Sequence, residues 1–395
     1  MIQLASSVNP VLISGAALGY AGSVAQSLFW DAVDQHWYVC QRNVTDSDQN
    51  RLLVSRLDAD GTVLDTMLVL RAGHGANIGV ERTGGKTWLW TDAMPNGGWA
   101  TAIARIPYVP GGTADASDPE ATAINTPRTG VYRVSATIDP TTRQLIYRGQ
   151  IDNVASHLAT GFVDRYDLDA AARGTFTRLA SIPHVSDRTL QGYASLGDHL
   201  YTLYGNPGTD NMTVTCAEWS SGKVVQSQHI TTFGSLSHRE PEGVCVHQDG
   251  PGDASATLAF GVADGVSGAR NYNIARFPHP GTHPWVPIPY DSALYEPNSS
   301  NYTPQFRVAG DQVHLHFSMS KVDGKPWNTG EVLFQLPERA RPNRTQRLVG
   351  VVTGAAVSGD TMAVRFEVSS NGNVVVYDER ALTGWIGGDH SFWRC

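Results

Sequence analysis

The sequence predicts an all-β protein: a five-bladed β-propeller over residues 1–280 followed by a small, jelly-roll-like β-sandwich over residues 281–395. Three observations carry this. A strand–turn–aromatic-strand unit recurs through the first two-thirds of the chain. Its landmarks Gln26, Asn77, Arg133, Gln191 and Glu242 are spaced by 51, 56, 58 and 51 residues. The repetition stops near Gly281, where a stretch with its own series of short strands begins. A period of about fifty residues with four strands per period is the signature of radial propeller blades.

The first unit shows why each segment is read as it is. Ser27–Trp30 and Trp37–Gln41 are aromatic and β-branched, which suits a pleated sheet, and the polar run Asp31–Gln35 turns the chain between them. Leu52–Leu57 is a third strand, and Asp58-Ala59-Asp60-Gly61 makes a tight turn into a fourth, Val63–Leu70. Such a four-stranded meander cannot bury either face alone and needs copies to pack against. The copies begin at Ala76–Ala93 (with a further strand at Ala100–Pro110), Val131–Gly149, Leu190–Gly205 and Glu240–Gly250. The fifth lacks a fourth strand, while Val11–Ala16 stands unassigned at the other end. The expectation is that Val11–Ala16 completes the fifth blade and closes the ring, removing two sheet edges.

Past Gly281, strands are expected at Gln305–Val308, Gln312–Met319, Glu331–Leu336, Leu348–Thr353, Met362–Val368 and Asn373–Asp378. Forty Gly and 21 Pro suit a turn-rich β chain, and only Asp167–Arg173 has helical character, too short to count as an element. The net charge of −8 and the absence of a Lys/Arg stripe disfavour a nucleic-acid partner. Met1–Gly22 has no basic start and contains Asn9-Pro10, so it reads as neither a signal peptide nor a membrane span. Cys40, Cys216, Cys245 and Cys395 are far apart and read as buried thiols, not as a disulfide framework or zinc site.

No nucleophile elbow, Walker loop, HExxH or dinucleotide fingerprint is present, and no cofactor or metal is expected. His314 and His316 alternate on one strand and face one way, yet no third ligand accompanies them. His74, between two glycines, suits close approach of a ligand to the backbone or a loop-capping role. Glu81, Glu240 and Glu242 are carboxylates near expected channel-lining strands, with Arg133 and Arg239 as available partners. Hydrolysis of a glycoside needs two carboxylates flanking one bond, and structural ion pairing is the commoner use of such residues. Ten Trp and 14 Tyr accompany loops rich in Asn, Asp and Gln, a combination that stacks on and hydrogen-bonds saccharides. Trp99, Tyr302, Trp327 and Trp385 are the loop-borne candidates, with His74, Glu81 and Glu242 beside them as candidate ligand-binding residues.

Two resemblances attach to these motifs. Gln26-Ser27 before an aromatic strand, GHGANIGVE at Gly73–Glu81, the WLW strand after it and EPEG at Glu240–Gly243 resemble a family that groups helveticin J-type bacteriocins with phage baseplate proteins labelled teichoic-acid biosynthesis protein C. WVPIP, QFRVAGDQVHLHF, LPERARP, GNVVVYDE and GWIGGDHSFW resemble the C-terminal receptor-binding domains of phage tail fibres and baseplate tips, with Glu338 departing from the smaller residue usual there. The resemblances imply a virion protein of a phage tail or related contractile particle, made in the host cytoplasm and acting at the host surface. They imply a homotrimer that binds a bacterial surface polysaccharide or teichoic-acid-like glycan and other tail or baseplate proteins, without catalysis or membrane insertion. The alternatives are a helveticin-like bacteriocin acting on the envelope and a polysaccharide-degrading propeller enzyme.

Overall fold

The fold is described from a computed structural model covering residues 2, 4, 9–43, 50–119, 123–151, 160–184, 188–209, 211–250, 256–278, 285–309, 312–353, 362–378, 380 and 382–393. The chain divides into two compact units, Met1–Pro280 and Gly281–Cys395.

The first unit is a ring of five antiparallel blades. Blade I comprises Ala25–Asp31, His36–Arg42, Arg51–Leu57 and Val63–Leu70. Thr113–Asp115 adds a fifth strand to it, pairing parallel to Val63–Leu70, an addition the repeat pattern does not reveal. Blade II is Gly79–Thr83, Lys86–Asn96, Trp99–Pro107 and Ala123–Asn125. Blade III is Tyr132–Asp139, Gln144–Gln150, Gly161–Asp167 and Arg178–Pro183, and blade IV is Leu190–Leu196, His199–Tyr204, Thr213–Glu218 and Val224–His229. Blade V takes Glu240–His247, Thr257–Asp264 and Asn271–Arg276 from one end of the repeat and Val11–Ala16 from the other. The ring is therefore closed by the N-terminal strand, which pairs antiparallel with Asn271–Arg276.

The first strand of each blade is innermost, and each packs on the first strands of its neighbours around the axis. Burial follows this geometry: Ala25–Asp31 and Pro241–His247 are buried along their whole length, whereas the outermost Val224–His229 alternates between half-buried and exposed. Aromatic and branched residues fill the wedges between blades, with Trp37, Tyr38, Trp90, Tyr147 and Tyr201 almost wholly buried. Ile2 and Leu4 join the core of blade IV, where Tyr201 Oη accepts from Ile2 N (2.9 Å) and Gln226 Oε1 accepts from Leu4 N (2.9 Å). The N-terminal segment thus serves blade IV as well as blade V. Leu168–Ala172 forms a single helical turn capped by Asp167, whose Oδ1 accepts from Ala170 N at 2.7 Å. Cys40, Cys216 and Cys245 are buried free thiols, as expected, and Cys395 lies outside the described residues.

The second unit is antiparallel throughout. Its strands run in one continuous sheet in the order Val286–Pro287, Gln305–Ala309, Gln312–Lys321, Trp385–Trp393, Gln346–Thr353, Met362–Val368, Asn373–Val376 and Val332–Gln335, with Tyr295–Pro297 also paired to Gln312–Lys321. The sheet curls like half a barrel. Phe317 of one half meets Phe334 and Phe366 of the other edge-on, at 5.1 and 5.4 Å. Two facing layers with a shared core arise here from one sheet curling over, not from two separate sheets. The alternation of Gln312–Lys321 turns Val313, Leu315, Phe317 and Met319 inward and His314, His316 and Ser318 outward.

Candidate functional site

Four of the five repeat landmarks share one structural role. Gln26, Arg133, Gln191 and Glu242 sit where the innermost strands of blades I, III, IV and V slip register against their second strands. A β-bulge inserts a residue, kinks the strand and re-aims its side chain. The kinks let the innermost strands approach closely. A Cβ on Gly243 would lie 2.6–2.9 Å from Leu28 and Ser27 of blade I, so only glycine fits there, at φ +89°. Arg133 adopts φ +52° at its own bulge.

Polar side chains fill the axis at this end. Gln26 Nε2 donates to Glu242 Oε1 (3.3 Å), and Ser27 Oγ donates to Gly75 O (2.8 Å). Asn77 of blade II reaches Tyr193 O of blade IV (2.7 Å), across the axis. Glu242 is buried, and its desolvation, with Glu240 adding repulsion, holds its carboxyl well above the usual range.

The GHGA segment is built around a carboxylate that sequence reading passed over. Asp92 is fully buried, and its Oδ2 accepts from Gly75 N at 2.8 Å, with the amides of His74 and Ala76 also directed to the group. A Cβ on Gly73 would meet Asp92 Oδ2 and Ala100, which explains that glycine. Burial nevertheless raises Asp92 to about 7. His74 stacks on Trp99, centroids 4.2 Å apart and planes 12° apart, and Arg133 lies over the same indole at 4.3 Å. Burial, with the charges of Arg42 and Arg133 adding, depresses His74 to about 4, so it is neutral at pH 7. Trp99 begins a blade strand rather than a loop, and its indole is already engaged by protein groups.

Glu81 and Glu242 are kept apart by different partners. Glu81 Oε2 accepts from Arg105 Nε (2.8 Å) and Trp90 Nε1 (3.0 Å) within blade II. It lines an axial cavity of about 160 Å3 together with Trp30, Asp31, Arg82, Arg143 and Gln248. Among the described residues no hydrogen bond or shared partner joins Glu81 to Glu242, and no group of three or more His, Cys, Asp or Glu could hold a metal ion.

In the second unit the three remaining loop aromatics part company. Trp327 is 3% exposed, stacks on Tyr295 (5.7 Å) and donates Nε1 to Gly384 O (3.0 Å). It is a core residue beneath an open cleft bordered by Lys321, Lys325, Asn328 and Arg380, so the free ring face expected of it is absent. Trp385 opens the strand Trp385–Trp393 and is half-buried. Tyr302 is 42% exposed in a single 3-10 turn, Ser300–Tyr302, and stacks on His316 at 5.3 Å.

Around Tyr302 the outer face of three strands carries a polar and aromatic surface. Register places Arg307, His314 and Ser391 in one row and Gln305, His316 and Asp389 in the next. His316 Nδ1 lies 2.5 Å from Asp389 Oδ1, and its Nε2 lies 3.0 Å from Asn301 O, which ties the Tyr302 turn to the sheet. Trp285 packs against His316 (5.8 Å) and lies under Arg307 (4.8 Å), and His314 pairs with Ser391 Oγ (2.7 Å). The sequence singled out Tyr302 and the two histidines. It missed Trp285, Arg307 and Asp389, although the WVPIP opening and the Gly-Asp-His run marked two of them.

Comparisons with known proteins agree with the architecture. Residues 24–275 match the family model described as the phage five-bladed β-propeller receptor-binding platform domain. The putative major teichoic acid biosynthesis protein C of Bacillus subtilis strain 168 is 28% identical over 261 residues, 63% of this chain and 58% of that protein, so the chain spans under two-thirds of that relative's length. The tail fibre of Staphylococcus aureus phage P68 superposes with a TM-score of 0.56 at 14% identity, covering 98% of this chain and 97% of that one, a likeness of fold. An exo-β-1,3-galactanase of Phanerochaete chrysosporium gives a TM-score of 0.42 at 10% identity over 97% and 99% of the two chains, too distant to carry a functional argument. On the five-blade ring, its bulged inner strands and the match spanning them, the chain belongs to the family of phage five-bladed β-propeller receptor-binding platforms.

Proposed function

We propose that this protein recognises a saccharide of the bacterial surface on behalf of a phage tail or baseplate, without catalysis, and that the Tyr302 face of the C-terminal unit makes the contact. The observation that carries this reading is the grouping of Tyr302, Trp285 and His316 beside Arg307, Gln305 and Ser391 on one outward sheet face. Rings seat the C–H faces of a sugar, and flanking hydroxyl, amide and guanidinium groups meet its hydroxyls. His316, bonded at both ring nitrogens, holds the Tyr302 turn in place before a ligand arrives, which limits the ordering cost of binding.

Glu81 and Glu242 are each committed to separate partners, which supports a non-enzymatic role. Aromatic stacking contributes on the order of 0.5–1.5 kcal/mol beyond area burial, so one site is weak. Assembly as a trimer, with three sites engaging one cell, supplies avidity. Other tail or baseplate proteins are the structural partners in this reading, and the virion is its location.

The test is binding of the purified full-length protein to an array of bacterial cell-wall and capsular saccharides. Tyr302→Ala and Trp285→Ala are expected to weaken binding by about tenfold each, the equivalent of about 1.4 kcal/mol. Tyr302→Phe, which keeps the ring, is expected to bind nearly as wild type. Normal binding by both alanine variants would move the contact elsewhere. Release of reducing ends from the bound saccharide would contradict the non-catalytic reading.

A further inference from the structure

Among the described residues, Arg148 is a buried cation without a counter-ion. It is 4% exposed, on the second strand of blade III, and its Nη1 donates to Arg133 O at 3.4 Å. Its Nε and Nη2 have no partner among the described residues. Two residues on, Gln150 is fully buried with both ends of its amide unpaired. Strand alternation puts Ile146, Arg148 and Gln150 on one face, and Ile146 packs with Tyr193 and Leu200, which identifies that face as the seam with blade IV. Tyr193 and Tyr204 stand near the guanidinium there, Tyr193 Oη bonded to Ser135 Oγ (3.1 Å) and Tyr204 Oη to His184 Nε2 (2.9 Å).

Three other arginines of the propeller are paired to acids, Arg56 with Asp65, Arg105 with Glu81, and Arg128 with Asp164, while the buried Arg239 is held by the carbonyls of Thr209, Ile230 and Thr232. Among the described residues no carboxylate pairs with Arg148. Burying a charge unpaired is strongly unfavourable, and buried polar groups left without partners are rare in folded proteins. Burial lowers the Arg148 guanidinium to about 10, which leaves it cationic at neutral pH.

We propose that the seam between blades III and IV binds an anionic group of a ligand, a phosphate or a carboxylate, with Arg148 as its counter-ion. The two free guanidinium nitrogens present the forked donors that such oxygens accept, and Gln150 Nε2 adds a third donor. Gln150 Oε1 remains as an acceptor for a neighbouring hydroxyl, as a sugar acid or polyol phosphate would offer. The inference rests on the receptor-binding reading only for the source of the anion, a charged polymer of the cell surface.

The proposal is tested by calorimetric melting of the full-length protein with inorganic phosphate, glycerol 3-phosphate or galacturonate, each against potassium chloride of equal ionic strength. At a ligand concentration a hundredfold above Kd, the propeller transition is expected to rise by about 4–5 °C over the chloride control. The phosphate and carboxylate arms distinguish the two oxygen groups. Without ligand, Arg148→Met is expected to melt at or above wild type, because an uncompensated charge has been replaced by an apolar chain, and its rise with anion is lost. Gln150→Leu is expected to keep the fold and to reduce the rise, which preserves the test if Arg148→Met is poorly soluble. The proposal is overturned if no anion exceeds the chloride control, or if Arg148→Met shows the same rise as wild type. Loss of saccharide binding by Tyr302→Ala with the anion effect intact would separate the seam from the sheet-face site.

Discussion

Ring closure by Val11–Ala16 can be tested at Ile13. Its side chain is 3% exposed on an outermost strand, an unusual place for a buried residue, because it enters the core between blades V and I with Leu28, Trp30, Trp37 and Ile274. The turn of blade I presses on it so closely that a Cβ on Gly61 would lie 2.7 Å from Ile13 Cγ2. Ile13→Ala removes three carbon groups at about 0.8 kcal/mol each, and the rigid ring leaves a cavity that brings the loss to about 2.4–5 kcal/mol. For a unit of this size each kcal/mol lowers the midpoint by roughly 2 °C, so the fall is about 5–10 °C. Val11→Ala is the control: it lies on the same strand, is 51% exposed, and is expected to change stability by less than about 0.5 kcal/mol. Differential scanning calorimetry reads both variants. Equal melting of Ile13→Ala and Val11→Ala would refute the claim that this strand locks the ring.

Asp92, raised to about 7, favours folding in its protonated form, so its contribution is fully present below about pH 4 and is lost as pH rises through about 7; Asp92→Asn is expected to flatten that part of the melting temperature against pH. Gly243→Ala forces a Cβ into Leu28 and Ser27 at a left-handed backbone position, and is expected to abolish soluble folded protein, read by expression and circular dichroism. Glu242→Gln keeps an acceptor for Gln26 and mimics the neutral carboxyl form that burial favours, so melting and cell attachment are expected to stay within error of wild type. Trp327→Phe loses the bond to Gly384 O and is expected to lower stability while leaving saccharide binding intact.

Much of the fold was legible because a blade strand has a short sequence period and a blade has a long one. The landmark residues recur at each repeat because every inner strand that carries one at a bulge needs the same kink at the same height. What escaped the sequence was short or contextual. Thr113–Asp115 and Ala123–Asn125 are three residues each, too short to show alternation. Ile2 and Leu4 have no pattern around them and are core only because blade IV offers them a slot. The site suffered most, since burial of a polar side chain is not written in local sequence. Asp92 looks like the end of an aromatic strand, and Arg148 like one more alternating residue. Trp327 counts among the loop-borne candidates by sequence, yet its indole folds inward onto Tyr295. Tyr302 was read correctly as exposed because the residues around it, Asn-Ser-Ser-Asn before and Thr-Pro after, give a turn with no apolar period to bury it.

The central claim is that recognition resides in an aromatic face outside the propeller axis. Its most direct measurement is attachment of the purified full-length protein to host cells, comparing wild type with Tyr302→Ala, Trp285→Ala and Glu242→Gln. Attachment is expected to fall by at least tenfold in the two aromatic variants, and further than single-site binding falls if several copies act together, with Glu242→Gln unchanged. Full attachment by the aromatic variants together with its loss in Glu242→Gln would contradict the account and place the working site on the propeller axis.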